Sequence, residues 1–332
     1  MKYLVTGAAG FIGSAVCLRL CEQGFDVVGI DNLNDYYDVS LKLDRVKLIE
    51  SHSNFRFLKQ DIFHRDEIAK LFETEKFDYV IHLGAQAGVR YSIDNPHTYA
   101  DTNLIGHINI LEGCRNNQVK HLVYASSSSV YGLNEKQPFQ ESDAADHPIS
   151  LYAASKRANE LISHTYSHLY DLPTTGLRFF TVYGPWGRPD MAPYKFAKAI
   201  IAGETIDIYN FGDMSRDFTF IDDIVDGIMG VRTVIPTRTQ DTANLPNRSS
   251  APYAIYNIGN GSPVKLMDFI GCLEKEFGIE ASKNLMAQQP GDVTSTWAST
   301  EALYQVTGYK AKTSITQGVK QFVAWYREYY QV

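Results

Sequence analysis

The sequence predicts an α/β protein with a doubly wound parallel sheet and a smaller C-terminal α/β lobe. A glycine-rich turn joins a buried strand to a helix near the N-terminus. Short apolar strands then alternate with helical patterns through about residue 180, which is typical of a parallel sheet with helices on both faces. After residue 180 the pattern changes to short elements and loops rich in proline, glycine and aromatic residues, which predicts the second lobe.

Composition places the chain among soluble globular proteins. It has 332 residues, of which 44% are hydrophobic and 21% charged, and a formal net charge of −7. These values are ordinary for a globular chain, and the length suits one extended domain or two unequal lobes. The negative charge and the lack of a basic stripe argue against a general nucleic-acid binder. An anionic ligand must therefore be held by local arginines or helix N-termini.

The cysteines and histidines show no metal-site spacing. The four cysteines form no CxxC pair, and Cys17 and Cys21 fall on a predicted amphipathic helix, where buried thiols are expected. None of the nine histidines shows HExxH or paired-ligand spacing, so no metal is predicted. No apolar run reaches the roughly 18 residues of a membrane span, and no signal peptide precedes the first strand. We therefore expect a reduced, cytoplasmic protein.

The first 31 residues carry a dinucleotide-binding pattern. Residues 2–6 form a predicted strand, GAAGFIG supplies Gly7, Gly10 and Gly13, and a helix follows through about Glu22. The next strand, FDVVGID, ends at Asp31. Glycines let backbone N–H groups approach a pyrophosphate, which the helix N-terminus also attracts. A carboxylate at Asp31 accepts ribose hydroxyls and repels a 2′-phosphate, so the pattern predicts a Rossmann-type fold that binds NAD rather than NADP.

The alternation continues through further strands and two long helices. Predicted strands end near Asp61-Ile62, near Gly84 and at Ser127, and TTGLRFF precedes Thr181. Predicted helices span 96–116 and 151–170. Ligands of such sheets bind beyond the carboxyl ends of the strands, where Gly7, Asp31, Asp61, Gly84, Ser127 and Thr181 all fall.

The domain division follows the change of pattern. We expect residues 1–180 to form the Rossmann domain, which also receives a strand and a helix from 218–260, and residues 181–332 to form the second lobe. TVYGPWGRPDMAPYKF, from 181 to 196, is predicted as a long loop, and an amphipathic aromatic helix is predicted over about 314–330.

Two short stretches carry the predicted chemistry. SSSSVYG holds Ser126 to Ser129, and YAASK holds Tyr152 and Lys156. The tyrosine and the lysine are four residues apart, so they share one face of a helix. A neighbouring ammonium lowers a phenol's pKa from about 10 and makes it a general base. YxxxK also occurs often by chance on exposed helices, and the dinucleotide pattern is what favours the catalytic interpretation.

Together these residues resemble the extended short-chain dehydrogenase/reductases, and within them the nucleotide-sugar 4-epimerases. The resemblance covers nearly the whole chain and includes TGAAGFIG, SSSSVYG, YAASK and SRDFTFIDDIVDGI. The segments AQAGVRYS (85–92), GPWGRPDMA (184–192) and YNFGDMSRDFTFIDD (209–223) are most similar to bacterial UDP-glucuronate 4-epimerases. The resemblance implies NAD as cofactor and a UDP-sugar as substrate.

The resemblance also implies the roles of the cofactor-binding and catalytic residues. Tyr152 would take the proton of the sugar 4-hydroxyl while hydride passes from C4 to NAD, and Lys156 would bind the nicotinamide ribose. Ser127 would bridge Tyr152 and the 4-oxygen, with Ser128 as the alternative. The 4-keto intermediate would then turn over and take hydride back on its other face. The implied cofactor-binding set is Gly7, Gly10, Phe11, Ile12, Gly13, Asp31, Asn32, Asp61, Ile62, Leu83, Ala85, Asn103, Ser126, Tyr152 and Lys156.

One position distinguishes related activities. Dehydratases and UDP-glucuronate decarboxylases of this family usually carry Asp or Glu just before Val-Tyr-Gly, where this chain has Ser129. Oxidation of UDP-glucuronate at C4 gives a β-keto acid, so an epimerase must restrain the carboxylate, which a side-chain carboxylate would repel. By resemblance the carboxylate is held by Ser127, Ser128, Ser129, Thr181 and Arg188. The alternative for Arg188 is a solvated loop arginine.

Four further residues are implied to bind substrate. Arg216 would bind the UDP diphosphate, or else form a surface ion pair with Asp217 or Asp213. Tyr209 would pack near the uracil or belong to the core. Asp292 would contact the uridine, and Arg90 would approach the substrate or brace its loop.

The sequence leaves other functions open. A neutral substrate, UDP-glucose or UDP-N-acetylglucosamine, would use the same chemistry. A non-catalytic NAD-binding module is a second alternative, but it would not need Ser127, Tyr152 and Lys156 together. By resemblance we also expect a homodimer formed through the helices at 96–116 and 151–170.

Overall fold

The structure is a computed structural model that describes residues 1–240, 244–289 and 293–332. The strands in these ranges are β1 (Lys2–Thr6), β2 (Asp26–Asp31), β3 (Phe55–Lys59), β4 (Tyr79–His82), β5 (His121–Ser127), β6 (Thr174–Phe179), β7 (Thr181–Tyr183), β8 (Ile206–Ile208), β9 (Ser215–Arg216), β10 (Phe218–Phe220), β11 (Tyr253–Ile258), β12 (Val264–Lys265) and β13 (Lys283–Leu285). The α-helices are α1 (Phe11–Glu22), α2 (Val39–Glu50), α3 (Arg65–Glu75), α4 (Tyr91–Asp94), α5 (Pro96–Tyr99), α6 (Gly106–Asn116), α7 (Leu151–Tyr170), α8 (Ala192–Ala202), α9 (Ile221–Val231), α10 (Leu266–Phe277), α11 (Glu301–Thr307) and α12 (Ile315–Tyr330).

A seven-stranded parallel sheet forms the centre of the molecule. Its strand order is β11-β6-β5-β4-β1-β2-β3. The chain runs from β1 to β3 on one side and then crosses to β4 on the other, so the order reverses between β1 and β4. Helices cover both faces, with separate apolar cores beneath them. The Rossmann-type, doubly wound α/β fold is confirmed, and its switch point lies where ligands of such sheets bind.

The sequence at the start of α7 explains where this helix begins and how Tyr152 and Lys156 are placed. Ser150 caps the helix by accepting a hydrogen bond from the Ala153 backbone N–H at 3.1 Å, which satisfies one of the free donors at the N-terminus. The helix then spans Leu151–Tyr170, as predicted. Tyr152 and Lys156 therefore lie one turn apart beside the carboxyl end of β5.

The second half of the chain builds a smaller layer and also returns to the sheet. The strand pairs β8–β13 and β9–β12 pack with α8, α10 and α12 beyond the sheet. β11 is the edge strand next to β6, and α9 packs against α1. The 218–260 segment thus supplies a strand and a helix to the first layer, while the domain boundary at residue 180 stays a prediction.

Two regions differ from the predicted secondary structure. The segment predicted as a loop over 181–196 contains β7, which pairs in parallel with β10, and the start of α8. A three-residue strand is too short to show an alternating pattern of apolar and polar residues in the sequence. It is recognised in the structure by its pairing with β10. The helix predicted over 96–116 is divided into α5, a π-helical turn (Ala100–Ile105) and α6. Such turns often occur near functional sites.

Candidate active site

A cavity of about 900 Å³ opens at the carboxyl edge of the sheet, between the glycine turn and the C-terminal lobe. Most of the predicted site residues line it. They are Gly7, Gly10, Phe11, Ile12, Gly13, Asp31, Asn32, Asp61, Ile62, Leu83, Ala85, Arg90, Ser126, Ser127, Ser128, Ser129, Tyr152, Lys156, Thr181, Arg188, Tyr209 and Arg216. Asn103 is absent from this lining, and Asp292 lies outside the described residues.

The glycine turn is packed too closely for side chains. Gly7 has a φ of +72°, which L residues rarely adopt. A Cβ on Gly13 would lie 2.0 Å from the Gly7 carbonyl oxygen, and one on Gly10 would lie 2.9 Å from the same atom. The backbone therefore borders the cavity directly at the start of α1, where a pyrophosphate can approach it.

Two carboxylates lie at the adjoining strand ends. Asp31 ends β2 and accepts a hydrogen bond from the Leu33 backbone at 2.8 Å. Burial raises the pKa of Asp31, while the charges of Lys42 and Arg45 oppose that rise. Asp61 accepts a hydrogen bond from the Asn32 side chain at 2.7 Å and orders that amide at the cavity wall. This part of the wall is therefore rich in hydrogen-bond acceptors.

Ser127 and Tyr152 both line the cavity. Ser127 ends β5, and its Oγ accepts a hydrogen bond from the Ser129 backbone at 3.1 Å, capping the 3₁₀ turn Ser128–Tyr131. The Ser127 hydroxyl lies near enough to the Tyr152 phenol to lower its pKa, as does the positive charge of Arg188. Burial is the larger effect, however, and raises the pKa of Tyr152 above its usual value.

The Lys156 ammonium contacts the backbone of β5. Its Nζ donates a hydrogen bond to the Ala125 carbonyl oxygen at 2.9 Å, and burial lowers the pKa of Lys156 to about 8. The groups that lower the pKa of Tyr152 are Ser127 and Arg188. Lys156 is not among the groups that lower the pKa of Tyr152 in this arrangement of side chains, and its effect on the phenol beside bound NAD stays a prediction.

Arg188 is held in place by a carboxylate that sequence reasoning missed. Its Nε lies 3.0 Å from Asp190 Oδ1, and its Nη2 contacts Oδ2 of the same carboxylate. Tyr36 donates a hydrogen bond to Asp190 Oδ2 at 3.2 Å. The ion pair raises the pKa of Arg188, so the guanidinium stays charged. Arg188 lines the cavity as a fixed charge and is not a freely solvated loop arginine.

Two predicted cofactor residues use their side chains elsewhere. Ser126 donates a hydrogen bond at 2.6 Å to Glu160, which forms a buried bidentate pair with Arg178. Asn103 lies behind the cavity wall, where its amide bonds the Gln86 backbone and Ser155. Asn103 thus fixes the wall without facing the cavity.

Two further arginines line the cavity, Arg216 from the C-terminal lobe and Arg90 from the residue before α4. Arg216 donates hydrogen bonds to the backbone carbonyls of Ser215, Val293 and Thr294. It forms no ion pair with Asp217, whose carboxylate instead accepts backbone N–H groups of residues 260, 261 and 298. The Arg90 guanidinium lies 4.9 Å from the centre of the Tyr209 ring, a cation–π contact that joins the two walls of the cavity.

Among residues 1–240, 244–289 and 293–332, no group of histidine, cysteine, aspartate or glutamate side chains could hold a metal ion. Cys17, Cys21 and Cys114 are buried and unpaired, as expected for the first two. Within the same ranges, no helix combines the length and apolar character that crossing a membrane requires.

Comparison with known proteins identifies the family. The profile of the NAD dependent epimerase/dehydratase family matches residues 3–258. A probable UDP-glucuronate 4-epimerase of Rhizobium meliloti (strain 1021) is 47% identical over 100% of this chain and 98% of its own length.

Solved structures agree with this result. The UDP-glucuronic acid 4-epimerase of Bacillus cereus, in complex with UDP-glucuronic acid and NAD, superposes with a TM-score of 0.89 at 32% identity, over 99% of this chain and 100% of its own. The UDP-glucose 4-epimerase of Thermotoga maritima with UDP-glucose gives 0.86 at 29% identity, over the same shares of the two chains. The chain belongs to the NAD dependent epimerase/dehydratase family, and its cofactor is NAD.

Proposed function

We propose that this protein converts UDP-glucuronate to UDP-galacturonate by epimerisation at C4 through a 4-keto intermediate. The observation that carries the proposal is the meeting of three groups in one cavity. Tyr152, Ser127 and Arg188 all line this cavity, and Ser127 and Arg188 oppose the rise that burial causes in the pKa of the Tyr152 phenol. A phenol that can exchange a proton thus lies beside a fixed cation that can bind a sugar carboxylate.

The residues present fit NAD. The glycine turn leaves room for a pyrophosphate because no side chain could occupy it, and Asp31 lies at the end of β2, where a ribose would meet its carboxylate. When bound, NAD supplies the acceptor and the donor of the hydride exchanged with C4. Asn32, Asp61, Ile62, Leu83 and Ala85 would complete that part of the wall.

Tyr152 would hold the proton of the 4-hydroxyl and return it when the alcohol reforms. Ser127 is the better candidate for the bridging hydroxyl, because its hydroxyl is near enough to the phenol to lower the phenol's pKa. Ser128 lines the same cavity and stays the alternative. The positive charge of Lys156, one helical turn away, would favour the phenolate once the two groups face a common ligand.

The carboxylate of the sugar needs restraint because a 4-keto sugar acid is a β-keto acid. The bond between C5 and the carboxylate carbon breaks readily when it aligns with the π system of the C4 carbonyl. Arg188 would bind the carboxylate, and Ser128, Ser129 and Thr181 would donate hydrogen bonds. The neutral side chain at Ser129 adds no repulsive charge there. Arg216, Arg90 and Tyr209 would bind the UDP part, together with Asp292.

The test is a product analysis by NMR of the purified protein with UDP-glucuronate, with UDP-glucose and with UDP-N-acetylglucosamine. We expect UDP-galacturonate as the main product of the first substrate and slower conversion of the two neutral sugars. Preferred conversion of a neutral sugar would refute the carboxylate assignment. A UDP-pentose with release of CO₂ would indicate a decarboxylase, and no turnover of any sugar would favour a binding module.

We further propose a cytoplasmic homodimer that buries one face of α6 and α7. Apolar side chains are exposed on this face, among them Ile108 on α6 and Leu161 and Leu169 on α7. Such side chains at helical spacing are typical of a helix–helix interface. The unpaired cysteines of the chain support a reducing compartment.

A further inference from the structure

A buried arginine outside the proposed catalytic set connects two parts of the cavity wall. Arg45 lies on α2 with 0% of its surface exposed. Within the described parts of the chain it has no carboxylate within ion-pair distance, whereas buried guanidinium groups usually have one. The charge of Asp31 is near enough to interact with that of Arg45, but no described carboxylate contacts the guanidinium, so the dipoles around it must accept its hydrogen bonds.

The five N–H groups of Arg45 match five hydrogen bonds. Nη1 donates to the Ala9 carbonyl oxygen at 3.1 Å and to the Tyr37 hydroxyl at 2.7 Å. Nε and Nη2 donate to the Trp186 carbonyl oxygen at 3.1 and 2.7 Å, and Nη2 also reaches Gly187 O at 3.1 Å. Only the planar fork of an arginine can reach these separate acceptors at once.

One end of this connection fixes the glycine turn. Ala9 belongs to the turn, and its carbonyl oxygen points to Arg45. The N–H of the same peptide group, contributed by Gly10, donates to the Gly7 carbonyl oxygen at 2.9 Å. This peptide plane is therefore held from both sides, and its orientation decides which backbone groups of the turn face the cavity.

The other end fixes a strained turn directly before Arg188. Trp186 has a φ of +63°, which is rare for a residue with a side chain. Its carbonyl oxygen takes two of the five hydrogen bonds from Arg45, and its ring packs against Trp325 and Tyr329 of α12. The turn covers residues 184–187 and is closed by a hydrogen bond from the Gly187 N–H to the Gly184 carbonyl oxygen. Because Arg188 is the next residue, the turn decides where the Arg188 guanidinium enters the cavity.

We propose that Arg45 is a positioning residue that couples the glycine turn to the 184–187 turn, so that dinucleotide binding and the placement of Arg188 stabilise each other. A ligand that orders one turn would then order the other through a single buried group. The coupling concerns the turns and does not depend on the identity of the sugar. Its effect on turnover rests on the proposed function.

The test is amide hydrogen exchange of peptides that cover 184–191, with NAD bound and after its removal. This segment contains protected N–H groups, since Gly187 and Met191 donate to the carbonyls of Gly184 and Arg188. In the wild type we expect removal of NAD to speed exchange by about ten-fold, within the usual range of coupling between sites. In Arg45→Met we expect fast exchange with or without NAD.

Two variants separate positioning from a general loss of stability. Arg45→Lys keeps the charge but cannot span both turns, so removal of NAD should change the exchange of 184–191 less than in the wild type. If Arg45→Met does not fold, the result for Arg45→Lys decides the test. Arg56→Met removes an exposed arginine of β3 that pairs with Glu75 of α3, and it should exchange like the wild type. An unchanged NAD effect in Arg45→Lys and in any folded Arg45→Met would overturn the proposal.

Kinetics give a second readout. Arg45→Lys should raise the KM for UDP-glucuronate about ten-fold while the Kd for UDP alone stays unchanged, because UDP has no sugar carboxylate for Arg188 to bind. Equal weakening for both ligands would contradict the proposed link to Arg188. If the wild type does not turn over UDP-glucuronate, the proposed function fails, and the exchange experiment still decides the coupling.

Discussion

At the scale of single residues, the site depends on how burial and neighbouring charges compete at Tyr152. Burial raises the pKa of this phenol, and Ser127 and Arg188 lower it. A further positive charge brought next to the phenol would lower the pKa again. The Tyr152 proton is therefore controlled by which groups enter the cavity, and the YxxxK spacing alone does not set it.

Lys156 provides a prediction about stability. Its pKa falls from 10.5 in the unfolded chain to about 8 in the folded one, which corresponds to a destabilisation of about 3 kcal/mol. This destabilisation is fully present below pH 8 and fades as the pH rises toward 10.5, because the folded state loses its proton first. Lys156→Met should therefore raise the free energy of unfolding of NAD-free protein at pH 7 by about 1–2 kcal/mol, after the loss of the Ala125 hydrogen bond.

The measurement is urea unfolding of the wild type and Lys156→Met at pH 7 and at pH 10. The gain should shrink at the higher pH. Lys70→Met is the matched control, because Lys70 is exposed on α3 and its loss should change stability by about 0.5 kcal/mol or less. A Lys156→Met protein that is less stable than the wild type at pH 7 would contradict this view of the buried ammonium.

Sequence spacing could predict only residues whose role follows from local pattern. Gly7, Asp31, Ser127 and Tyr152 belong to short motifs, and all line one cavity. The Tyr36–Asp190 hydrogen bond joins residues 154 positions apart, and the Arg45–Trp186 bond spans 141. No local period encodes such contacts, because they exist only after the sheet has brought α2 beside the 184–191 segment.

At the scale of elements, the β1–turn–α1 unit depends on close backbone packing. Gly13→Ala would place a methyl group 2.0 Å from the Gly7 carbonyl oxygen, so the helix must shift away from the turn. We expect this variant to lose bound NAD and about 1–3 kcal/mol of stability. The measurements are the NAD released on denaturation and the thermal unfolding of the protein.

A second glycine provides the control for this substitution. Gly271 lies within α10, and a Cβ there would meet no heavy atom within 4 Å. Gly271→Ala should keep NAD and gain about 0.5–1 kcal/mol, the ordinary preference of a helix for alanine. If Gly13→Ala kept NAD as well as Gly271→Ala does, the close-packed turn would not be needed for cofactor binding.

Long elements with a clear start were predictable and short ones were not. α7 has the predicted bounds because a serine cap begins it and no proline or glycine interrupts the 20 residues that follow. β7 and β10 are three residues each and exist by pairing with each other, so 181–196 looked like a loop in the sequence. The hydrophobic period of the sequence continues on both sides of the π-helical turn at Ala100–Ile105, so the period does not indicate that turn.

At the scale of the whole molecule, the exposed apolar face of α6 and α7 predicts the oligomeric state. Ile108 is 36% exposed and Leu161 is 55% exposed. Replacing both with glutamate would bury two charges in the proposed interface, so the dimer should dissociate. Light scattering should give twice the chain mass for the wild type and the single chain mass for the double variant.

The control for this experiment lies away from that face. Leu133 is 67% exposed in the loop after the 3₁₀ turn that follows β5, so Leu133→Glu should stay dimeric. A wild type that has the mass of a single chain at micromolar concentration would refute the predicted interface.

The central claim is that Tyr152 exchanges the proton of the sugar 4-hydroxyl beside bound NAD. The most direct measurement compares the rate of UDP-galacturonate formation by the wild type and by Tyr152→Phe, together with the NAD bound by each. The phenyl ring fills the same space without the oxygen, so the rate should fall by about 10²–10⁴-fold while bound NAD stays unchanged. A Tyr152→Phe protein that forms UDP-galacturonate at close to the wild-type rate would contradict the account.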